Sequence, residues 1–175
     1  MYDTTPRIYV ACLASYNAGK LHGRWIDATQ GADAIWDEIH DMLDNSPEPS
    51  AEEWAIHDYE GFGHICIDEF AGVEYVVELA RCLGEHGEAF AEWFANGCAE
   101  GMDPDGWEQA FQDAYLGEYE SREAYAEDLY SDLYPQIPEP LTNYIDWPAV
   151  ARDLELSGDI WFAEREAGVF VYASC

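Results

Sequence analysis

The stretch that decides the fold runs from residue 7 to residue 27 and begins Arg7-Ile-Tyr-Val-Ala-Cys-Leu-Ala14. These eight residues are rich in β-forming side chains and too few for a buried helix, so they predict a strand. Asn17-Ala-Gly19 supplies turn residues, and Leu21-His-Gly-Arg-Trp-Ile-Asp27 predicts a returning strand. We therefore expect the chain to open with a β-hairpin that has a long turn.

Residues 31–45 carry the clearest helical pattern in the chain. Apolar side chains recur at the spacing of one helix face, at Ile35, Trp36, Ile39, Met42 and Leu43. The same segment places acids at successive i, i+4 steps: Asp33, Asp37 and Asp41, with Asp44 extending the row. Each like-charged pair at this spacing costs a few tenths of a kcal/mol. The predicted helix therefore carries an acidic ridge whose charge repulsion lowers the stability of the helix.

Beyond this helix, the sequence predicts a third strand and then a helical block. Trp54 to Glu60 follows a possible capping box and is short enough for either helix or strand; we favour a strand that completes a small sheet. Apolar spacing predicts helices over 69–83 and 88–96, the first of them closed by Gly84. Asp103-Pro-Asp-Gly106 is typical of the start of a third helix.

The last third of the chain returns to mixed structure. A short strand at 115–119 precedes a helix that Ser121 caps, and Asp146-Trp-Pro148 opens another helix through Glu155. Segments 160–164 and 169–173 predict a terminal hairpin. The fold class is therefore α+β, with mixed α/β structure over 1–61, a helical middle over 62–104 and α/β structure again over 105–175.

The charge of the chain is extreme. Its 37 acids and 7 lysines and arginines give a formal net charge of -30 on 175 residues, and no lysine or arginine occurs between Trp25 and Ala80. Such a charge opposes compaction, yet 49% hydrophobic residues allow a core to form. Solubility needs a net charge of only about two to eight on a small domain. A partner that binds polyanions is the most economical explanation, and halophilic adaptation is the main alternative.

The sequence offers little that predicts catalysis. With 37 acids, neighbouring carboxylates are unavoidable and carry almost no weight as an acid/base pair. The five histidines lack the spacing of metal ligands, and phosphate-binding and serine-nucleophile motifs are absent. We expect no enzyme, no cofactor and no metal. The N-terminus does not resemble a signal peptide and no long apolar stretch occurs, so we expect a cytoplasmic protein without membrane contact.

Several segments resemble the ArdA-type antirestriction proteins. The first hairpin, residues 7–17 and 21–28, is the most specific of them. The resemblance continues through Glu53-Trp-Ala-Ile-His-Asp-Tyr-Glu-Gly61, Gly117-Glu-Tyr119 and Tyr144-Ile-Asp-Trp-Pro-Ala-Val-Ala-Arg-Asp-Leu-Glu155, and ends at Gly158-Asp-Ile-Trp161. It extends over essentially the full length of the chain.

The resemblance implies an elongated chain of three small domains that dimerises and mimics bent B-form DNA. Such a protein binds no nucleic acid itself. It occupies the DNA-binding groove formed by the specificity and methyltransferase subunits of a type I restriction–modification enzyme, and so protects incoming plasmid or transposon DNA. Residues 141–155 resemble the family's antirestriction motif, which implies a role for this region in the dimer or in inhibition. Its candidate residues are Tyr144, Asp146, Trp147, Arg152, Asp153, Leu154 and Glu155.

Charge density supports the same interpretation. B-DNA carries one phosphate for about every 1.7 Å of axis, so the 60 negative charges of a dimer match about 100 Å of duplex. The acids that we expect to contact the partner are Asp33, Asp37, Asp41, Asp44, Glu48, Glu52, Glu53, Asp58, Glu60, Asp68, Glu69, Glu74 and Glu78. The rival functions are an acidic binder or chaperone of other basic DNA-binding proteins and, from another class, an acid-rich hydrolase.

Overall fold

The computed structural model describes residues 5–175, with the backbone alone at residue 139. This range forms a mixed α+β fold, which confirms the predicted class. The strands are β1 (Arg7–Cys12), β2 (Gly23–Asp27), β3 (Trp54–Glu60), β4 (Tyr115–Tyr119), β5 (Ile160–Arg165) and β6 (Gly168–Ala173). The helices are α1 (Leu13–Asn17), α2 (Ala32–Asp44), α3 (Val73–Ala95), α4 (Trp107–Ala114), α5 (Arg122–Leu133), α6 (Glu139–Thr142) and α7 (Trp147–Ser157).

The chain divides into two compact units, Met1–Glu108 and Gln109–Cys175. Each unit contains one three-stranded antiparallel sheet, with strand order β2-β1-β3 in the first and β4-β6-β5 in the second. The three domains expected from the sequence, with boundaries after residues 61 and 104, stay a prediction, as does their elongated arrangement.

The first sheet has β1, the first strand of the opening hairpin, at its centre. Ile8 of β1 lies opposite Ile26 of β2 and Tyr59 of β3, so the predicted hairpin and the predicted third strand are both confirmed. The predicted end of the first strand at Ala14 is wrong, because β1 ends at Cys12 and α1 follows. The Ala18 N–H donates to the Ala14 carbonyl and closes a helical turn there, which β-forming side chains do not reveal.

Helix α2 covers the first sheet with its apolar face. Ile35, Ile39, Met42 and Leu43 are buried, as their spacing predicts, and Trp36 is half-buried. Their burial removes apolar surface from water at about 25 cal/mol per Å², which offsets the repulsion among the acids on the other face. The helix therefore holds its acidic ridge on a rigid support.

Helix α3 corrects the predicted helix boundaries of the middle block. The expected stop at Gly84 is wrong, because the helical turns continue and the backbone leaves the helical region at Gly87, with φ 61° and ψ -139°. A glycine inside a helix costs only about 1 kcal/mol, so Gly84 alone does not end it. The apolar face of this region packs around Trp107, whose ring meets those of Tyr75 and Phe94 edge to face at 4.9 Å each. No helix in residues 5–175 combines the length and apolarity needed to cross a bilayer.

The second unit packs α5 and α7 against its sheet. Its core includes a cluster of Tyr125 from α5 and four side chains from the terminal hairpin: Ile160, Phe162, Val169 and Val171. Both predicted caps are confirmed, since the Ser121 hydroxyl accepts from the Ala124 N–H and the Asp146 carboxylate accepts from the Ala149 N–H. Helix α6 was not predicted, because its surroundings contain Pro135, Pro138 and Pro140. The Pro140 ring is tolerated in its first turn.

Candidate acidic partner-binding surface

The α2 ridge, formed by Asp33, Asp37, Asp41 and Asp44, is exposed along its whole length. Each i, i+4 step along a helix advances about 6 Å. Arg24 of β2 lies 3.1 Å from the Asp41 carboxylate and 3.6 Å from that of Glu38, so one position of the ridge is neutralised. Asp33, Asp37 and Asp44 form no ion pair with any of residues 5–175. The ridge therefore presents three uncompensated negative charges to solvent.

A second group of predicted acids lies on the β3 strand and the loop before it. Glu52, Glu53 and Asp58 are exposed. Glu48 and Glu60 are half-buried because each accepts a hydrogen bond from a cation of the first hairpin, Lys20 at 2.5 Å for Glu48 and Arg7 for Glu60. The structure therefore separates this group into two acids that are paired within the unit and three that face solvent without an ion pair to any lysine or arginine in the part of the chain that the structure describes.

The third predicted group precedes and enters α3. Asp68, Glu69 and Glu74 are exposed, and Glu69 lies 3.9 Å from the His57 ring nitrogen. The Trp36 indole N–H donates to the Glu74 carboxylate at 3.1 Å, which lowers the pKa of Glu74 below its ordinary value. This hydrogen bond links α2 to α3, so Glu74 remains ionised while it positions the α2 ridge.

The last acid of that group, Glu78, belongs to a cluster centred on Arg81. The guanidinium donates to Glu78 at 2.6 Å, to Glu85 at 2.5 Å and to Glu108 at 2.7 Å. These hydrogen bonds lower the pKa of both Glu78 and Glu108 and raise that of Arg81. Sequence reasoning missed Glu85 and Glu108. Glu85 is four residues after Arg81, a helical spacing that could have revealed it, whereas Glu108 is 27 residues from Arg81 and no local pattern connects them.

The Arg81 cluster contains the ligand geometry of a small cation site, although an arginine occupies it. Glu85, His86 and Glu108 bring three ligand atoms within 4.8 Å of one another. The same two carboxylates accept from Arg81, and the His86 ring nitrogen lies 3.2 Å from Glu108. A metal ion would have to displace the guanidinium, so the cluster is best described as an internal ion-pair network.

All seven lysines and arginines take part in such pairs. Each lies within 4.0 Å of a carboxylate of its own unit, in the first unit at Arg7, Lys20, Arg24 and Arg81, and in the second at Arg122, Arg152 and Arg165. The cations are thus spread singly over the chain and already paired. They form no basic patch of the kind that contacts phosphates. The excess of acids over bases is left to face solvent.

The predicted antirestriction-motif residues divide between core and surface. Tyr144 is 86% exposed, while Asp146 caps α7. Trp147 is half-buried, and Leu154 packs against the core of the second unit. Glu155 accepts from Arg122, whereas the side chains of Arg152 and Asp153 are exposed and lie 3.7 Å apart. Within residues 5–175, Tyr144, Arg152 and Asp153 are therefore exposed without capping a helix or contacting the core, and Trp147 keeps part of its ring open to solvent.

Residues 8–169 match the family described as antirestriction protein (ArdA). The chain belongs to the ArdA antirestriction family. The match covers almost the whole chain and includes every acid and motif residue that the sequence analysis selected. No curated protein matches the chain. Antirestriction is therefore the function class of this ArdA member, which makes a restriction enzyme the expected target.

Proposed function

We propose that this ArdA member inhibits type I restriction–modification enzymes by presenting carboxylates in place of DNA phosphates. The observation that carries the proposal is the α2 ridge, where Asp33, Asp37 and Asp44 are exposed and unpaired on a helix whose other face is buried. Repulsion among these acids destabilises the helix, so their presence indicates a function for the charge. Membership of the antirestriction family indicates that the partner of this charged surface is a restriction enzyme.

The ridge would bind through the interactions that proteins use for DNA. Lysines and arginines of the enzyme that normally meet phosphate oxygens would form charge-assisted hydrogen bonds with carboxylates. Counterions held around both partners would be released on binding, as they are from DNA. The exposed acids of β3 and of the loop before α3 supply further contacts of the same kind: Glu52, Glu53, Asp58, Asp68 and Glu69.

The inhibition should not depend on the DNA sequence that the enzyme recognises. Phosphate contacts position a protein on DNA but carry no sequence information, and carboxylates do not reproduce the pattern of base edges. We therefore propose that the protein occupies the DNA groove of the specificity and methyltransferase subunits without catalysing a reaction. It would act as a homodimer, with the exposed motif residues Tyr144, Arg152 and Asp153 near the dimer contact.

The test is displacement of DNA from a type I methyltransferase. A fluorescent duplex that contains the enzyme's site is bound at about 100 mM salt, and the protein is titrated in while anisotropy is followed. We expect full displacement from two enzymes of different recognition sequence with similar midpoints. Failure to displace either duplex would reject the proposal. Displacement of DNA from an unrelated basic protein, such as a histone-like one, with an equal midpoint would favour the general acidic binder instead.

A further inference from the structure

The second unit contains a cleft that the acidic surface does not explain. It lies between α5, the segment after it and the start of α7, and has a volume of about 570 Å³. Pockets that bind small ligands have volumes of about 300–1,000 Å³. Its lining includes the rings of Tyr130, Tyr134 and Trp147 and the carboxylate-bearing residue Glu127. We call it the aromatic cleft.

The sequence builds one wall of the aromatic cleft from a single stripe of α5. Glu127, Tyr130 and Tyr134 follow one another at steps of three and four residues, so they share one side of the helix and its end. The core-facing side is separate, since Tyr125 and Ala126 are the buried residues of this helix. The aromatic stripe therefore lies apart from the buried residues of α5.

The rings stand close together around the cleft. Tyr130 lies 5.4 Å from Tyr134 and 6.4 Å from Trp147 between ring centroids, and the Tyr130 and Trp147 planes are nearly perpendicular. Rings at different inclinations offer both faces and edges to whatever enters. Tyr134 is exposed, and Tyr130 and Trp147 are half-buried, so the rings remain open to solvent.

We propose that the aromatic cleft binds an arginine side chain of the partner protein. A guanidinium is flat, stacks on Trp and Tyr faces and forms paired hydrogen bonds with a carboxylate. Glu127 supplies that carboxylate, and the residues that line the cleft include no lysine or arginine. A neutral apolar ligand would leave Glu127 unused, and an anion would be repelled by it. Charge complementarity therefore selects a cation, and the flat guanidinium, which stacks on rings and pairs with a carboxylate, selects arginine over lysine.

This inference rests on the proposed function for the identity of the partner, since an enzyme that binds DNA presents arginines. It adds a specific contact to a surface that otherwise works by many equivalent charges. Residues buried in aromatic pockets at the centre of an interface carry a large share of binding energy. The exposed acids would attract the partner without setting its orientation, and the arginine bound in the cleft would set that orientation.

The test uses Nα-acetyl-arginine amide as the probe and Nα-acetyl-citrulline amide, its uncharged isostere, as the control. Binding is followed by NMR through the indole N–H signal of Trp147 in the full-length protein. We expect the arginine probe to bind at least about fivefold more tightly than the citrulline probe, because its charge adds a cation–π contact and a charge-assisted hydrogen bond to Glu127. Equal binding of the two probes would overturn the proposal.

Matched variants separate the cleft from general attraction to an acidic protein. Glu127→Gln and Trp147→Leu should each weaken binding of the arginine probe about fivefold or more, with the Glu127→Gln variant monitored at Trp147 and the other at the Tyr130 amide. The controls are Asp132→Asn, which removes an equal charge from α5 outside the cleft, and Phe70→Ala, which removes an exposed ring outside it. Equal weakening by the Glu127 and Asp132 variants would also overturn the proposal.

The two proposals fail separately. If the arginine probe binds in the cleft but the protein does not displace DNA from the methyltransferase, the cleft assignment stands and the proposed function does not. If DNA is displaced but the arginine and citrulline probes bind equally, the proposed function stands and the cleft assignment does not. Because Glu127 is exposed and its variant keeps the shape of the side chain, loss of folding cannot account for its effect.

Discussion

Two glycines of α3, only three residues apart, should respond in opposite directions to replacement by alanine. Gly84 lies in regular helix, and a Cβ added there meets no atom within 4 Å. Alanine should therefore stabilise the protein by about 0.5–1 kcal/mol through helix propensity. Gly87 has equally open space, but its φ of 61° and ψ of -139° disfavour any side chain. Gly87→Ala should cost about 1–3 kcal/mol.

The assay is urea unfolding followed by circular dichroism at 222 nm, at fixed pH and salt because the net charge makes stability depend on both. Since about 1 kcal/mol shifts the Tm by about 2–4 °C for a chain of this size, thermal melts should separate the two variants by several degrees. Neither substitution changes charge or removes a contact. If Gly87→Ala is as stable as Gly84→Ala, the helix is continuous through residue 87 and the reasoning about the break is refuted.

Three further predictions follow from the charges and the second sheet. The triple change Asp33→Asn, Asp37→Asn and Asp44→Asn should reduce the slope of log K against log salt for enzyme binding by up to about three, at about 0.9 per lost contact. The control is a second triple change, Glu120→Gln, Asp132→Asn and Glu166→Gln, which should reduce the slope less. Equal reductions of the slope would show that only total charge matters. Arg81→Gln should lower stability at pH 7 but not in acid. Arg81 lowers the pKa of Glu78 and Glu108 in the folded state, so its stabilisation is present above their ordinary value of 4.5 and is lost as pH falls through the lowered values. The free energy of unfolding of the variant and the parent should be measured from pH 7 to 3. A difference between the two that stays constant over this range would contradict the prediction. Gly168→Ala should destabilise by about 2 kcal/mol or more, because its φ is 137° and a Cβ would lie 2.3 Å from the Tyr119 carbonyl oxygen of β4; an unchanged melting temperature would be the contrary result.

Local patterns were enough to predict most of the regular structure. The apolar spacing of α2, the β3 strand at Trp54–Glu60 and the caps at Ser121 and Asp146 were all predicted from a few neighbouring residues. These features depend on interactions within about one turn or one strand, which the sequence displays directly. The exposed acids of α2 were predicted by the same periodicity.

The features that the sequence did not reveal depend on distant residues or on weak local preferences. The pairing of Arg24 with Asp41 and of Arg122 with Glu155 joins separate elements, and it decides which acids remain free for a partner. Glycine is tolerated in a helix at moderate cost, so the sequence alone does not distinguish Gly84 from Gly87 as the position of the break. The aromatic cleft likewise forms only when α5 and α7 come together.

The central claim is that carboxylates on this protein stand in for phosphates, and the salt dependence of its complex tests that claim most directly. The affinity of a type I methyltransferase for the protein and for its own DNA should be measured between 50 and 400 mM salt. We expect log K to fall steeply and linearly with log salt for both ligands, with comparable slopes. An affinity for the protein that is insensitive to salt, while that for DNA falls, would contradict the account.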